Sequence, residues 1–204
     1  MRLDHLVFGG PDLAAAVDYV RQLTGVQASR GGRHTGKGTA NYLIGLGPAA
    51  YLEIIGPDPC AADGPGWFGL QTSTAPRLLT WATRADDVDA AIATARGAGY
   101  DPGPAATMSR QSDRGAFLQW HLTPDTVKAA AGVIPFLIDW GHSAHPSRGD
   151  LPQLRLASVS ATSAHPAQDL SAVEALGEQL DIRFGPTAGL TAVLATPSGL
   201  VTLA

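Results

Sequence analysis

Apolar and polar positions follow one order three times along this chain. The first round opens on a short apolar strand, RLDHLVFGG. Pro11 and a helical segment, DLAAAVDYVRQLTG, come next; Leu13, Val17 and Val20 recur on one face, and Gly25 ends it. Three strand-like segments follow: one over residues 26–33, then TANYLIGLG, then AYLEIIG. The second round begins at RLLTWATRA. Asp86 or Asp87 caps a helix carrying Val88, Ile92 and Ala95 on one face, Gly99 stops it, and PAATMSR, AFLQWHL and VIPFLIDWG read as strands. The third begins at LRLASVSAT, with a helix after Pro166 and then DIRFG, LTAVLAT and LVTLA.

Each round is strand–helix–strand–strand–strand, so the pattern predicts an α+β protein built from repeated βαβββ modules. The modules span residues 1–58, 76–147 and 151–204, joined by linkers rich in Gly, Pro and Ser. A module of this size cannot cover its own sheet, so modules must pair. With three of them, the last either caps the C-terminal side or pairs with another chain as a homodimer.

Composition narrows the chemistry. The chain has 204 residues, 45% hydrophobic and 16% charged, with a net charge of −4. The absence of any basic cluster argues against a nucleic-acid partner. No apolar run is long enough to cross a membrane, and Asp4 and His5 interrupt the N-terminus where a signal peptide would stay apolar, so a cytoplasmic protein is expected. Cys60 is the single cysteine, which excludes an internal disulfide and a cysteine-cluster metal site, and no basic residue beside it in sequence activates its thiol.

One stretch nearly spells a phosphate loop. Gly31, Gly36 and Lys37 fit G-x-x-x-x-G-K-[ST], but Gly38 holds the last position and the segment beyond breaks at Gly47-Pro48. Two strands joined by a turn fit it better than the helix a phosphate loop requires. The polar residues of this stretch, His34, Thr39 and Asn41, are then either solvated hairpin groups or substrate contacts, with Gly31, Gly32, Gly36 and Gly38 letting the backbone turn tightly between them.

Other candidates follow from strand phase. His5 shares a face with Leu3 and Val7. Glu53 shares one with Tyr51 and Ile55, and a carboxylate buried there needs a metal or a protonated His5 beside it. In FLQWHL, Trp120 and His121 point opposite ways, so only one faces a cleft. In DWGHSAHP, Asp139, Trp140, His142 and His145 offer a carboxylate with two histidines close by. Ser158, Ser160 and Ser163 have no nucleophile-elbow context.

A βαβββ repeat with a histidine in its first strand and a glutamate in its fourth resembles the vicinal oxygen chelate superfamily, and within it the glyoxalase-like domain proteins. The stretches that carry the resemblance are LDHLVFGGPDL, GGRHTGKGTANYLIGLGPAAYLEIIGPDP, PRLLTWATRADDVDAA and IPFLIDWGHSAHPS. It implies paired modules whose curved mixed sheets close around a cleft, with metal ligands on the first and fourth strands. His5 and Glu53 match in module one. In module two, alignment of the helices puts Thr80 or Trp81 at the His5 position and Ile138 or Asp139 at the Glu53 position.

The implied function is a small-molecule enzyme holding Mn, Fe, Ni or Zn through His5 and Glu53. It would perform lyase, isomerase or dioxygenase chemistry on a substrate that chelates through adjacent oxygens. Glu53, His34 or Asp139 would move the proton. Asn41, Thr39, His121 and His145 would contact substrate, and Trp81, Trp120 and Trp140 would wall the pocket. The alternative is a protein that binds a small molecule without metal and without turnover.

Overall fold

The computed structural model describes residues 2–61, 67–70, 74–112, 115 and 117–204. Module one comprises β1 (Leu3–Gly9), α1 (Leu13–Thr24), β2 (Ser29–His34), β3 (Thr39–Gly45) and β4 (Tyr51–Pro57). Module two comprises β5 (Arg77–Arg84), α2 (Val88–Gly97), β6 (Ala106–Ser112), β7 (Phe117–Leu122), a single helical turn α3 (Val127–Ala130) and β8 (Phe136–Asp139). The third unit is β9 (Arg155–Ser163), α4 (Pro166–Ala175), β10 (Asp181–Phe184), β11 (Gly189–Thr196) and β12 (Gly199–Leu203). The turn α3 is too short to leave a periodic signal in the sequence.

The first eight strands close into a barrel in the order β1-β4-β3-β2-β6-β7-β8-β5. The modules meet at two antiparallel seams, β1 on β5 and β2 on β6, which leaves neither sheet an open edge. Strand alternation then sorts the side chains. Leu6, Phe8, Leu52 and Ile54 point outward into one apolar cluster with α1. Val7, Tyr51, Ile55, Leu79 and Phe136 point inward into another.

Helix α1 covers the outer face because Leu13, Ala16, Val17 and Val20 form a buried stripe; each large aliphatic side chain so buried is worth roughly 1.5–3 kcal/mol. Asp12 caps its start by accepting the Ala15 N–H at 3.1 Å, so Pro11 precedes the cap rather than opening the helix. Asp87 does the same for α2.

The third unit forms its own sheet, β10-β9-β11-β12. Its buried Ala161, Leu190, Ala192, Leu194 and Leu203 share the cluster of Leu78 and Trp81, so this unit continues the core on the outside of the barrel. Glu178 fixes the join: its carboxylate accepts the Arg2 backbone N–H at 2.8 and 3.0 Å and the Thr83 hydroxyl. The linker between the first two modules also contributes to packing. Phe68 and Leu70 are buried in the barrel interior.

Candidate functional site

The barrel interior holds a cavity with about 300 Å³ of empty space, part of it open to solvent. Glu53 lines it. β4 sends the side chain inward, 5% exposed, and Asn41 on the neighbouring β3 donates its amide N–H to Oε1. Imidazoles approach from both sides: His5 Nε2 is 3.7 Å from Oε2, and His34 Nε2 is 3.5 Å from Oε1.

His5 is held from behind. A register shift between Leu3 and His5 breaks the alternation of β1, so that Asp4 and His5 meet although adjacent in sequence. Asp4 Oδ1 lies 2.8 Å from His5 Nδ1. With the proton on Nδ1, Nε2 of a neutral His5 is left as an acceptor facing Glu53. Tyr51 stacks on the ring with centroids 4.7 Å apart.

Asp4 is fully buried and collects further donors: Arg84 Nε at 2.8 Å, Trp140 Nε1 at 3.1 Å and His145 Nε2 at 3.0 Å. Burial alone would raise its pKa. The hydrogen bonds from His145 and His5, and their charges, outweigh burial and hold the carboxyl well below the usual range, so Asp4 is a fixed anion. His34 goes the other way for an imidazole. Burial lowers it from 6.5 to about 4 against the pull of Glu53, with Arg110 and His5 adding to the fall, so it is neutral at pH 7. The Tyr51 phenol is pushed well above its usual value by burial, then by the Asp4 and Glu53 charges, and keeps its proton.

Of the other residues expected at the site, Trp120 and Trp140 line the cavity, joined by Trp67 from the linker and Phe136 from β8. Thr39 stands behind His34, its hydroxyl 3.0 Å from Nδ1. His145 stands behind His5: it is buried against Asp4 and caps the turn at Pro146–Arg148 by accepting the Ser147 N–H. Three expectations are corrected. Trp81 points outward, its indole N–H donating to the Val133 carbonyl at 2.8 Å. His121 is exposed, because alternation gives the inward place to Trp120. Asp139 accepts the Val88 and Gly141 backbone N–H groups and lies outside the cavity lining.

Sequence reasoning passed over Asp4, Arg84 and Arg110. Arg110 occupies an inward position of β6, two residues after the buried Met108, and a basic residue in that phase was the available signal. It is 3% exposed, and its Nη1 donates to Asn41 Oδ1 at 2.9 Å. Gly31 makes room for this contact: a Cβ there would strike both Asn41 Oδ1 and Arg110 Nη1. Gly31 therefore serves close approach in the strand, while Gly36 and Gly38, with φ of 70° and 66°, form the turn.

As a metal centre this donor set is incomplete. The seam pairs His5 with Ala82 and Val7 with Thr80, as expected if Thr80 repeats His5 and Ala82 repeats Val7. Val7 pairs with Glu53 and Ala82 with Phe136, so the fourth-strand equivalent of Glu53 is Phe136, in place of Ile138 or Asp139. Thr80 is fully buried with its hydroxyl on the Gly132 carbonyl, and Phe136 has no donor atom. Among the described residues no group of three or more His, Cys, Asp or Glu is placed to hold a metal ion. A buried Arg110 in the same cavity further disfavours a divalent cation.

The family model described as a glyoxalase-like domain matches residues 3–177. No curated protein matches. Among solved structures, a hypothetical protein from Staphylococcus aureus superposes with a TM-score of 0.66 at 15% identity, over 91% of this chain and 87% of that one. Methylmalonyl-CoA epimerase from Mycobacterium tuberculosis gives 0.45 at 17% identity, over 72% and 91%. A mutant of 4-hydroxymandelate synthase from Streptomyces coelicolor gives 0.48 at 14%, over 98% and 61%. At these identities the structures speak to fold alone. The family match covers most of the chain, which thus belongs to the glyoxalase-like domain family of the vicinal oxygen chelate superfamily.

Proposed function

We propose that this protein is a small-molecule enzyme that moves a proton to or from its substrate with Glu53 and His5. The observation that carries this reading is the buried series Asp4–His5–Glu53 at the wall of an aromatic cavity. Asp4 orients His5, as an anion fixed behind an imidazole does in acid–base enzymes. Nε2 of His5 and the carboxylate of Glu53 face each other at 3.7 Å beside the cavity, so both can reach one bound substrate. Asn41 fixes the rotamer of Glu53 through Oε1, which leaves Oε2 as the oxygen that takes a proton from bound substrate. Neutral His34 adds a second polar group at the other oxygen without a second charge. The reaction class this favours is abstraction of a proton next to a carbonyl, as in an isomerase or a lyase.

The test is exchange of substrate protons with solvent. Small carbonyl compounds, charged and neutral, are incubated with the protein in deuterium oxide and followed by proton NMR. The parent should catalyse exchange in at least one of them, and Glu53→Gln should slow it by about 10²- to 10⁴-fold. Exchange that persists in Glu53→Gln, or none by the parent, overturns the reading. The second reading, binding without turnover, draws on Phe136 and Thr80 in the places where module two would repeat Glu53 and His5. It predicts saturable binding with no exchange.

A further inference from the structure

We infer that Arg110 is the receptor for a carboxylate on the ligand, so that the cavity takes a flat, anionic small molecule. This rests on the cavity being the functional site; it does not require the proton-transfer step.

A guanidinium is costly to bury unless its donors and its charge are matched. Arg110 is 3% exposed, on an inward position of β6, and among the described residues it forms no ion pair. Its one side-chain hydrogen bond runs from Nη1 to the neutral Asn41. The nearby carboxylate, Glu53, does not neutralise it, because Asn41 stands between them: it accepts from Arg110 through Oδ1 and donates to Glu53 through Nδ2. Asn41 thereby keeps a cation and an anion in one cavity without letting them collapse into a pair. Among the described residues the remaining Arg110 donors have no protein acceptor, and Arg110 lines the cavity. A planar fork of N–H groups in that position matches a carboxylate, which it can bind through two parallel bonds.

The rest of the wall specifies the body of the ligand. Trp120 and Trp140 lie together with ring centroids 5.2 Å apart, and Trp67 faces His34 edge-on at 5.2 Å. These rings offer flat apolar faces to a ligand at the mouth of a narrow cavity that opens to solvent. A carboxylate on Arg110 would place the adjacent part of the ligand towards Glu53, since one Asn41 amide spans both.

The test is a matched pair of probes, benzoate and benzamide, which differ in charge and share a ring. Each is titrated into the full chain while tryptophan fluorescence is read. The parent should bind benzoate about tenfold or more tightly than benzamide. Equal affinity, or saturable binding of neither, overturns the inference without recourse to any variant. Arg110→Met should abolish the preference and Arg110→Lys should restore part of it; a folded Arg110→Met that still prefers benzoate also overturns it. A parent that prefers benzoate but catalyses no proton exchange fails the proton-transfer reading alone; a parent that exchanges but shows no preference fails this inference alone.

Discussion

Asp4 and His5, consecutive residues of one strand, meet side chain to side chain at 2.8 Å on the same side of a sheet that should send them apart. The register shift at Leu3 makes this possible. Asp4 then serves His5, Arg84, Trp140 and His145 at once, as an acceptor only. Asp4→Asn replaces one acceptor oxygen by a donor facing groups that already donate. It should cost about 3 kcal/mol of stability, the range for breaking a buried charge network, and lower any proton-exchange activity. Urea unfolding gives the first number. Unchanged stability would show that the network is not a structural hub.

Acid should unfold the protein early, and His34 sets the window. Its folded value of about 4 lies below the ordinary 6.5, so between them the unfolded chain binds a proton that the folded one refuses. Stability from this group is complete above about pH 6.5 and lost as pH falls to about 4, by about 3 kcal/mol in total. Asp4, also lowered, adds a loss at still lower pH, below the ordinary carboxylate value. In urea titrations across this range, His34→Gln should flatten the slope between pH 6.5 and 4. An unaltered slope would assign it to other groups.

Gly31→Ala should spare the fold and damage the site. The added methyl meets Asn41 Oδ1 and Arg110 Nη1, both side-chain ends that can shift. A stability loss of about 1–3 kcal/mol is expected from such overpacking. The benzoate preference should fall with it. Retained preference would show that Arg110 reaches its place without this clearance.

Elemental analysis of protein purified without a histidine tag, before and after loading with Mn, Fe, Ni and Zn, should find no stoichiometric metal that depends on Glu53. Two facing donors, His5 and Glu53, lack the partners that module two would supply. A metal present one to one in the parent and absent from Glu53→Ala would overturn this and return both residues to the role of ligands.

Removing residues 151–204 should leave an insoluble chain. The third unit shares one buried cluster with Leu78 and Trp81 on the barrel, and Glu178 ties it to Arg2 and Thr83. A soluble, cooperatively unfolding fragment would instead make that unit a separable domain.

The modules were legible because their signals are local. Leu13, Val17 and Val20 repeat at helical spacing, strands alternate around turns, and the same order returns three times. Strand phase groups His5 with Val7 and Glu53 with Tyr51 and Ile55, and the family pattern singles out His5 and Glu53; phase alone leaves open which of Trp120 and His121 faces the cleft. That reasoning fails wherever phase is broken or distance through the fold matters. The shift at Leu3 brings Asp4 beside His5, and counting from helix to strand misplaced the equivalent of Glu53 because the segments between them differ in length.

The sequence by itself therefore determined the elements and their apolar faces, since backbone periodicity and side-chain polarity are properties of neighbouring residues, and the family pattern nominated His5 and Glu53. Only the tertiary structure decided which charges meet. Asp4 finds His145 across 141 positions, Arg84 reaches back 80 positions to Asp4, and Arg110 touches Asn41 over 69. Barrel closure brings those pairs together, through a seam register that no single segment carries.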